Sequence, residues 1–230
     1  RIITIQPQGT RPPLFGVHIL GPNEEYFRPL AAHLGLDQPI MGISVGPLDK
    51  DTPTGIENTA RIYCEELNKY YPTGPISLMA VSLGSYMALE LARQLKQSGR
   101  DVGVVAFFDA AGPGGRDEYQ GWQRLCAHFR RARYIGWRFP VQIVNNRIHN
   151  LRNFFASKKI KKATSEGDAK APMTVYEFIA SNEIAVNEYS PGPLNVPLTI
   201  FRAENHFFDT EVARQNGLGW EPVATAGFEV

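Results

Sequence analysis

The 230 residues predict an α/β fold, a mostly parallel sheet flanked by helices with a helical lid inserted over the sheet edge. Three observations carry that prediction. Short apolar runs alternate with segments of helical periodicity, the pattern of a parallel sheet with right-handed crossovers. The run "ISLMAV" (76–81) has no polar alternation beyond Ser77, which suits a strand covered on both faces. The stretch between Asp109 and Val196 is too long for a simple connection and carries helical patterns of its own.

Taken in order, "IITIQP" (2–7) and "PLFGVHI" (13–19) read as strands around the turn "QGTRP". "EEYFRPLAAHLG" (24–35) places Tyr26, Phe27, Leu30, Ala31 and Leu34 on one helical face, with Gly35 to end it. "PIMGISV" (39–45) is a buried strand, and "IENTARIYCEELNKYY" (56–71) a helix with Ile56, Ala60, Tyr63, Cys64 and Leu67 inward. A helix follows "ISLMAV" at once. "GVVAFFD" (103–109), "PLTIFRA" (197–203) and "FEV" (228–230) are further strands. In the insertion, placed at about 113–190, "GWQRLCAHF" (121–129) and about 140–156 are helices. "KKIKKATSEGDAKAP" (158–172) is expected to be mobile, and "TVYEFIASNEIAVNEY" (174–189) is a helix returning to the sheet. The Gly- and Pro-rich joints at 112–115 and 191–193 would let this lid move.

Composition bounds the function. At 43% hydrophobic and 20% charged the chain reads as one soluble globular domain over 1–230, with a cytoplasmic setting expected. The apolar runs are far short of a membrane span. Two cysteines, Cys64 and Cys126, are no disulfide framework, and the five histidines are scattered without metal-ligand spacing, so metal chemistry is not expected. No nucleotide-binding glycine loop is present and no cofactor is called for. The chain opens on Arg1, which suggests a segment cut from something longer or trimmed of disordered ends.

Ser82 ends the strand 76–81 at the first turn of the next helix, at the sheet edge where ligands of parallel α/β sheets bind. Ala80 and Gly84 flank it two positions away, giving A-x-S-x-G, one methyl group from the G-x-S-x-G nucleophile elbow. A serine hydroxyl needs a base to take its proton, and the elbow exposes Oγ to one. The N–H of Leu83 at the helix start can donate to an oxyanion, and Ile19 N–H in "GVHILGPN" is the expected second donor. Asp109 ends the next strand on the same edge, where a carboxylate can hold a catalytic imidazole in its useful tautomer. The plainer alternatives are that Ser82 caps a helix and that Asp109 caps the turn before "AAGPGG". Asp101 lies at the opposite edge.

These residues resemble a known family. "YPTGPISLMAVSLGSYMALELARQLKQSGRDVGVVAFFDAAGP" is similar to the matching stretch of type I thioesterase domains of nonribosomal peptide and polyketide synthetases, members of the α/β-hydrolase superfamily. "IQPQGTRPPLFGVHILG", "YFRPLAAHLGLDQPIMGISV", "VPLTIFRAEN" and "LGWEPVATAGFEV" match as well, so the likeness covers all but the lid. It implies an α/β-hydrolase fold, Ser82 as the acyl-accepting serine, Asp109 as the triad aspartate, and Ile19 and Leu83 as oxyanion donors. Here Ala80 stands where the family has glycine. The resemblance also implies a substrate carried as a phosphopantetheine thioester on an acyl or peptidyl carrier protein, in the same polypeptide or assembly.

The base is the open part of the triad. In the family a Gly-x-His turn follows a segment like "GWEPVATAGFEV", so the histidine is expected beyond Val230 in a domain read as C-terminally incomplete. His206 in "FRAENHFFD" is the alternative, and fits the order Ser, Asp, His. His18 reads as structural, His33 as a surface residue, and His128 and His149 as solvated parts of the lid.

Residues 113–163 hold twelve Lys/Arg against two Asp/Glu, a balance of +10, while the remainder balances at −9. The plain reading is a solvated helical face. The functional one is attraction of an acidic partner, with Arg130, Arg131, Arg133 and Arg138 steering a carrier protein. The negative remainder argues against nucleic acid. The stripe Val141, Val144, Ile148, Leu151 and Phe155 is expected to pack, or to line an acyl channel. The activity that the resemblance implies is chain release by hydrolysis or cyclisation. The alternatives are a discrete editing thioesterase or carboxylesterase, or a non-catalytic hydrolase-like module that binds a carrier protein.

Overall fold

The structure is a computed structural model that describes residues 1–18, 24–49, 51–115, 117–166, 173–204 and 209–230, and at 161–166 the backbone alone. Among the described residues, seven strands form one sheet. They are β1 (Ile2–Gln6), β2 (Leu14–Val17), β3 (Ile40–Ile43), β4 (Ile76–Val81), β5 (Val102–Phe108), β6 (Leu198–Phe201) and β7 (Phe228–Glu229). Their order is β1-β3-β2-β4-β5-β6-β7. Only the edge pair β1–β3 is antiparallel; every other pairing is parallel, as the apolar runs predict.

One face of the sheet is covered by α2 (Ile56–Tyr70) and α3 (Gly84–Gln97). The five residues expected to face inward from α2 are all buried. Helix α3 is buried almost throughout because it packs against α2 on one side and β4 and β5 on the other. At the far end of this core Trp220 is fully buried, its ring 4.7 Å from that of Phe107 and 5.1 Å from that of Tyr86. Its indole N–H donates to the Ala110 carbonyl at 3.0 Å, which satisfies the one polar atom such a ring brings into a core.

The described residues cover the second face only in part. A 3-10 turn (Glu24–Phe27) leads into α1 (Arg28–Leu34), and Phe27 and Ala31 pack on Ile40, Met79 and Ala106. Tyr26 and Leu34, expected on the same buried face, are exposed. The 3-10 turn has three residues per turn, so it shifts the phase that a continuous α-helix would have kept. Farther along this face Val104 and Phe201 are each half exposed, and Phe201 stacks on Phe108 at 4.8 Å.

Between β5 and β6 stand α4 (Gly121–Ile135), a 3-10 turn (Gly136–Arg138), α5 (Phe139–Glu166) and α6 (Val175–Glu188). Three expectations for this region are corrected. Of the segment expected to be mobile, 158–166 is helical, because its lysines and alanine favour helix and the first breaker is Gly167, while 167–172 lies outside the described residues. The apolar stripe Val141, Val144, Ile148, Leu151 and Phe155 does not pack; each side chain is 44–66% exposed. Helix α5 instead turns its Asn153 and Ala156 side toward α6, a choice of face that periodicity alone does not reveal. The joint at 112–115 is fastened rather than loose. Gly112 N–H donates to the Leu218 carbonyl at 2.9 Å and Gly114 N–H to that of Gly219 at 2.9 Å. At the other joint a Cβ on Gly192 would meet the Arg93 guanidinium at 2.9 Å.

Helix α6 begins as its sequence dictates. The Thr174 hydroxyl accepts from Glu177 N–H, and the Glu177 carboxylate accepts from Thr174 N–H at 2.8 Å, a full capping box. The Glu177 carboxylate also pairs with Lys159 of α5 at 2.5 Å. The short α7 (Glu211–Gln215) has a single cap bond, the Thr210 hydroxyl accepting from Ala213 N–H.

Candidate active site

Strand β4 ends at Val81, and the chain turns into α3 within Ser82 and Leu83. That turn is tight enough to force Ser82 to a φ of 52°, in the left-handed region. For a residue with a Cβ this costs about 1–2 kcal/mol, so the surrounding bonds must hold it there. Ser82 N–H donates to the Phe108 carbonyl at 3.1 Å, and the Ser82 carbonyl accepts from Ser85 N–H at 3.1 Å. The side chain is exposed, at the carboxyl edge of the sheet. Leu83 is helical, at φ −64°, and caps α3 without a side-chain bond. Its N–H stands at the first turn, where helix geometry supplies no acceptor.

Asp109 leaves β5 under a matching constraint. Its φ is 49°, and its N–H donates to the Phe201 carbonyl of β6 at 2.7 Å. The residue is half-buried. Adjacent strands β4 and β5 therefore end in two strained residues at one edge, with the Ser82 amide bonded to the residue just before Asp109. Asp101 sits at the start of β5, its carbonyl accepting from Ile76 N–H at the opposite edge.

The histidines separate cleanly. His18, directly after β2, is 3% exposed and shares a 2.7 Å hydrogen bond between Nε2 and the Tyr63 hydroxyl. The Phe178 ring of α6 lies 5.8 Å from it. His18 thus joins the end of β2 to α2 and to the lid, a structural place. His33 is exposed in the last turn of α1, and His149 lies in α5 beside Asn153 at 3.3 Å. His128 is exposed in α4. Ile19 and His206, named from sequence as an oxyanion donor and as an alternative base, lie outside the described residues.

One feature of the site region escaped the sequence reading. Glu90, on α3, is 3% exposed, and its carboxylate accepts from Arg93 at 2.5 Å, Gln94 at 2.9 Å and the Tyr189 hydroxyl at 2.5 Å. A buried charge is tolerated when it is paired and hydrogen-bonded in this way. Burial, then the hydrogen bond to Glu90, then the Glu90 charge push the Tyr189 phenol far above its ordinary range. The signal was present as a single acid inside the apolar run "YMALELARQL", with an arginine three residues on.

The arginines Arg130, Arg133 and Arg138 are exposed on α4 and the turn after it, and Arg131 is half-exposed. Arg130 lies over the Tyr119 ring at 5.7 Å, and Arg138 over that of Trp137 at 5.4 Å. No described helix is long and apolar enough to cross a membrane.

A family model described as "Thioesterase domain" matches residues 12–185. Malpinin synthetase of Mortierella alpina is 32% identical over 140 residues, which cover 57% of this chain and 2% of that protein. Indigoidine synthase of Dickeya dadantii (strain 3937) is 30% identical over 145 residues, 62% of this chain and 10% of that protein. The chain thus spans only a small part of the curated relatives it matches. The NocB thioesterase domain from the nocardicin cluster superposes with a TM-score of 0.62 at 18% identity, over 99% of this chain and 86% of that one. The thioesterase domain SrfTE, described for cyclization of the lipopeptide surfactin, gives 0.52 at 15% identity, over 99% and 82%. These structural likenesses establish the fold alone, the α/β-hydrolase arrangement of a mostly parallel sheet with flanking helices. Because the family match spans well over half of its residues, the chain belongs to the thioesterase-domain family.

Proposed function

We propose that this domain releases an acyl, peptidyl or polyketide chain from the phosphopantetheine thioester of a carrier protein, through an acyl-Ser82 intermediate, by hydrolysis or cyclisation. The observation that carries the reading is the pair of left-handed residues, Ser82 and Asp109, at the ends of adjacent strands on one sheet edge. Backbone strain of this kind persists where the surrounding structure over-determines it, and here it presents a hydroxyl to solvent.

The Ser82 oxygen attacks the thioester carbonyl carbon while a histidine base takes its proton. Negative charge gathers on the carbonyl oxygen, opposite the N–H groups of Leu83 and Ile19. The carbon–sulfur bond then breaks, and the thiol leaves with the proton. Water, or a nucleophile within the chain itself, attacks the serine ester and restores Ser82. Asp109 orients and stabilises the imidazolium. The base is a histidine, for which His206 is the candidate within 1–230; His206→Ala tests it, since turnover is abolished only if His206 is that base. No cofactor takes part, because phosphopantetheine arrives as part of the substrate.

The partner is an acidic acyl or peptidyl carrier protein, in the same polypeptide or assembly. The exposed cations Arg130, Arg133 and Arg138, with Arg131, support this reading. The test is mass mapping of the natural full-length polypeptide after brief exposure to an acyl-pantetheine thioester. An acyl group on the peptide holding Ser82 is expected. Turnover with the acyl group on another residue overturns the assignment, and binding of carrier protein without any turnover makes the domain a docking module.

A further inference from the structure

Helix α5 turns a polar side to the protein and an apolar side to solvent. Ile143 and Phe154, 42% and 52% exposed, widen the outward stripe described above to an arc of about 160° at 3.6 residues per turn. The opposite side meets α6. There Asn153 is buried and its Nδ2 donates to the Glu183 carboxylate at 3.4 Å, with Ala156 buried one turn on. A surface helix that met all its needs within the domain would carry the reverse pattern.

The outward side is also cationic. Arg147 and Lys158 are exposed and fall within the same arc, and Lys158 Nζ lies 4.7 Å from the centre of the Phe154 ring. From Phe139 to Ser165 the helix holds six Lys/Arg and no Asp/Glu. Just before it stand Tyr134 and Trp137, 67% and 79% exposed, aromatic side chains of the kind that settle at a membrane–water boundary. An apolar face running about 20 Å along 141–155 marks a contact surface, whereas isolated exposed apolar residues would not.

Charge decides what that contact is. Two copies meeting through this face would set cation against cation. An acidic protein would suit the cations alone, and the arginines offered to the carrier protein above stand on α4 and the turn after it, not on this face of α5. A bilayer with anionic headgroups provides phosphates for the cations and an acyl boundary for the stripe in one plane. We propose that α5 lies on an anionic lipid surface, with its stripe at the headgroup–acyl boundary and Arg147 and Lys158 among the phosphates. It rests on the bilayer without crossing it, since no described helix is long and apolar enough to span. The proposal is independent of acyl transfer to Ser82.

The test is co-sedimentation of the natural full-length polypeptide with vesicles of phosphatidylcholine alone, or of phosphatidylcholine with about one-third phosphatidylglycerol. Partition into the anionic vesicles is expected to be at least about tenfold stronger, because each basic residue near such a surface is worth about fivefold. The double variant Ile148→Gln, Leu151→Gln, at exposed positions, should weaken that partition at least about tenfold while leaving the urea midpoint unchanged. Arg147→Gln with Lys158→Gln should weaken it about tenfold or more and leave binding to phosphatidylcholine alone unaltered. Equal partition into both vesicle types, partition into neither, or either double variant within about threefold of the parent overturns the proposal. So does a stripe variant that keeps its vesicle binding but loses affinity for an acidic carrier protein or loses self-association, because the face then belongs to a protein partner.

Discussion

The Tyr189 hydroxyl donates to the buried carboxylate of Glu90 at 2.5 Å, bolting the end of the lid's last helix to the helix that begins at Ser82. Tyr189→Phe removes that donor and leaves the charge short of a partner. The expected loss is about 1.5–3 kcal/mol, the worth of a hydrogen bond to a charged group, read as a lower urea midpoint at unchanged slope. A loss under about 0.5 kcal/mol would place the bond outside the stability of the fold. The phenol's pKa lies above its ordinary 10.0, so its share of stability is intact below pH 10.0 and drains away as pH rises beyond it. Tyr189→Phe should flatten that alkaline decline.

Glu177 contributes to the acid limb. Burial alone would raise its carboxyl, but the Lys159 ammonium and the Thr174 N–H and hydroxyl outweigh burial and hold it below its ordinary 4.5. A carboxylate lowered in the folded state contributes stability above pH 4.5, and loses it as pH falls from there through the lowered value. Glu177→Gln should make unfolding less sensitive to acid over that window while lowering stability at neutral pH. An unchanged acid limb, followed by circular dichroism, would contradict this.

The entry joint of the lid is built from backbone packed on backbone. A Cβ on Gly112 would lie 2.5 Å from the Gly219 carbonyl and 2.6 Å from the Trp220 nitrogen, and neither atom can swing aside. Gly112→Ala should cost at least the roughly 1–3 kcal/mol of core overpacking, seen as a lower Tm in calorimetry. Gly115→Ala is a poor control because its φ of 72° is strained for any side chain.

The outward stripe of α5 predicts the opposite behaviour. Leu151 is 57% exposed, so Leu151→Gln should change stability by less than about 0.5 kcal/mol. A loss of about 2 kcal/mol or more would mean that the leucine is buried after all.

Much of this architecture was legible in the sequence because it follows from local rules. The inward face of α2 and the strand β4 could be read from periodicity, since a helix in an α/β layer has one partner and a central parallel strand has two. The left-handed backbone at Ser82 follows from a strand meeting a helix with no room for a loop. The lid was less legible. Helix α5 has two candidate faces, and only the position of α6 decides that Asn153 and Ala156 go inward while Val144 and Ile148 stay out. Glu90 was missed for a related reason: its partner Tyr189 lies 99 residues away, and no local pattern announces a bond of that range. The joint at 112–115 looked loose because glycines suggest motion, whereas two of these four residues are bonded to the strained turn around Leu218 and Gly219.

The central measurement is the rate of acyl-pantetheine hydrolysis by the natural full-length polypeptide with and without Ser82→Ala, at matched folded protein. The account predicts a fall on the order of ten-thousandfold, the scale on which loss of a nucleophile–base unit removes covalent catalysis. A rate within threefold of the parent would show that the hydroxyl at the elbow takes no part in the chemistry.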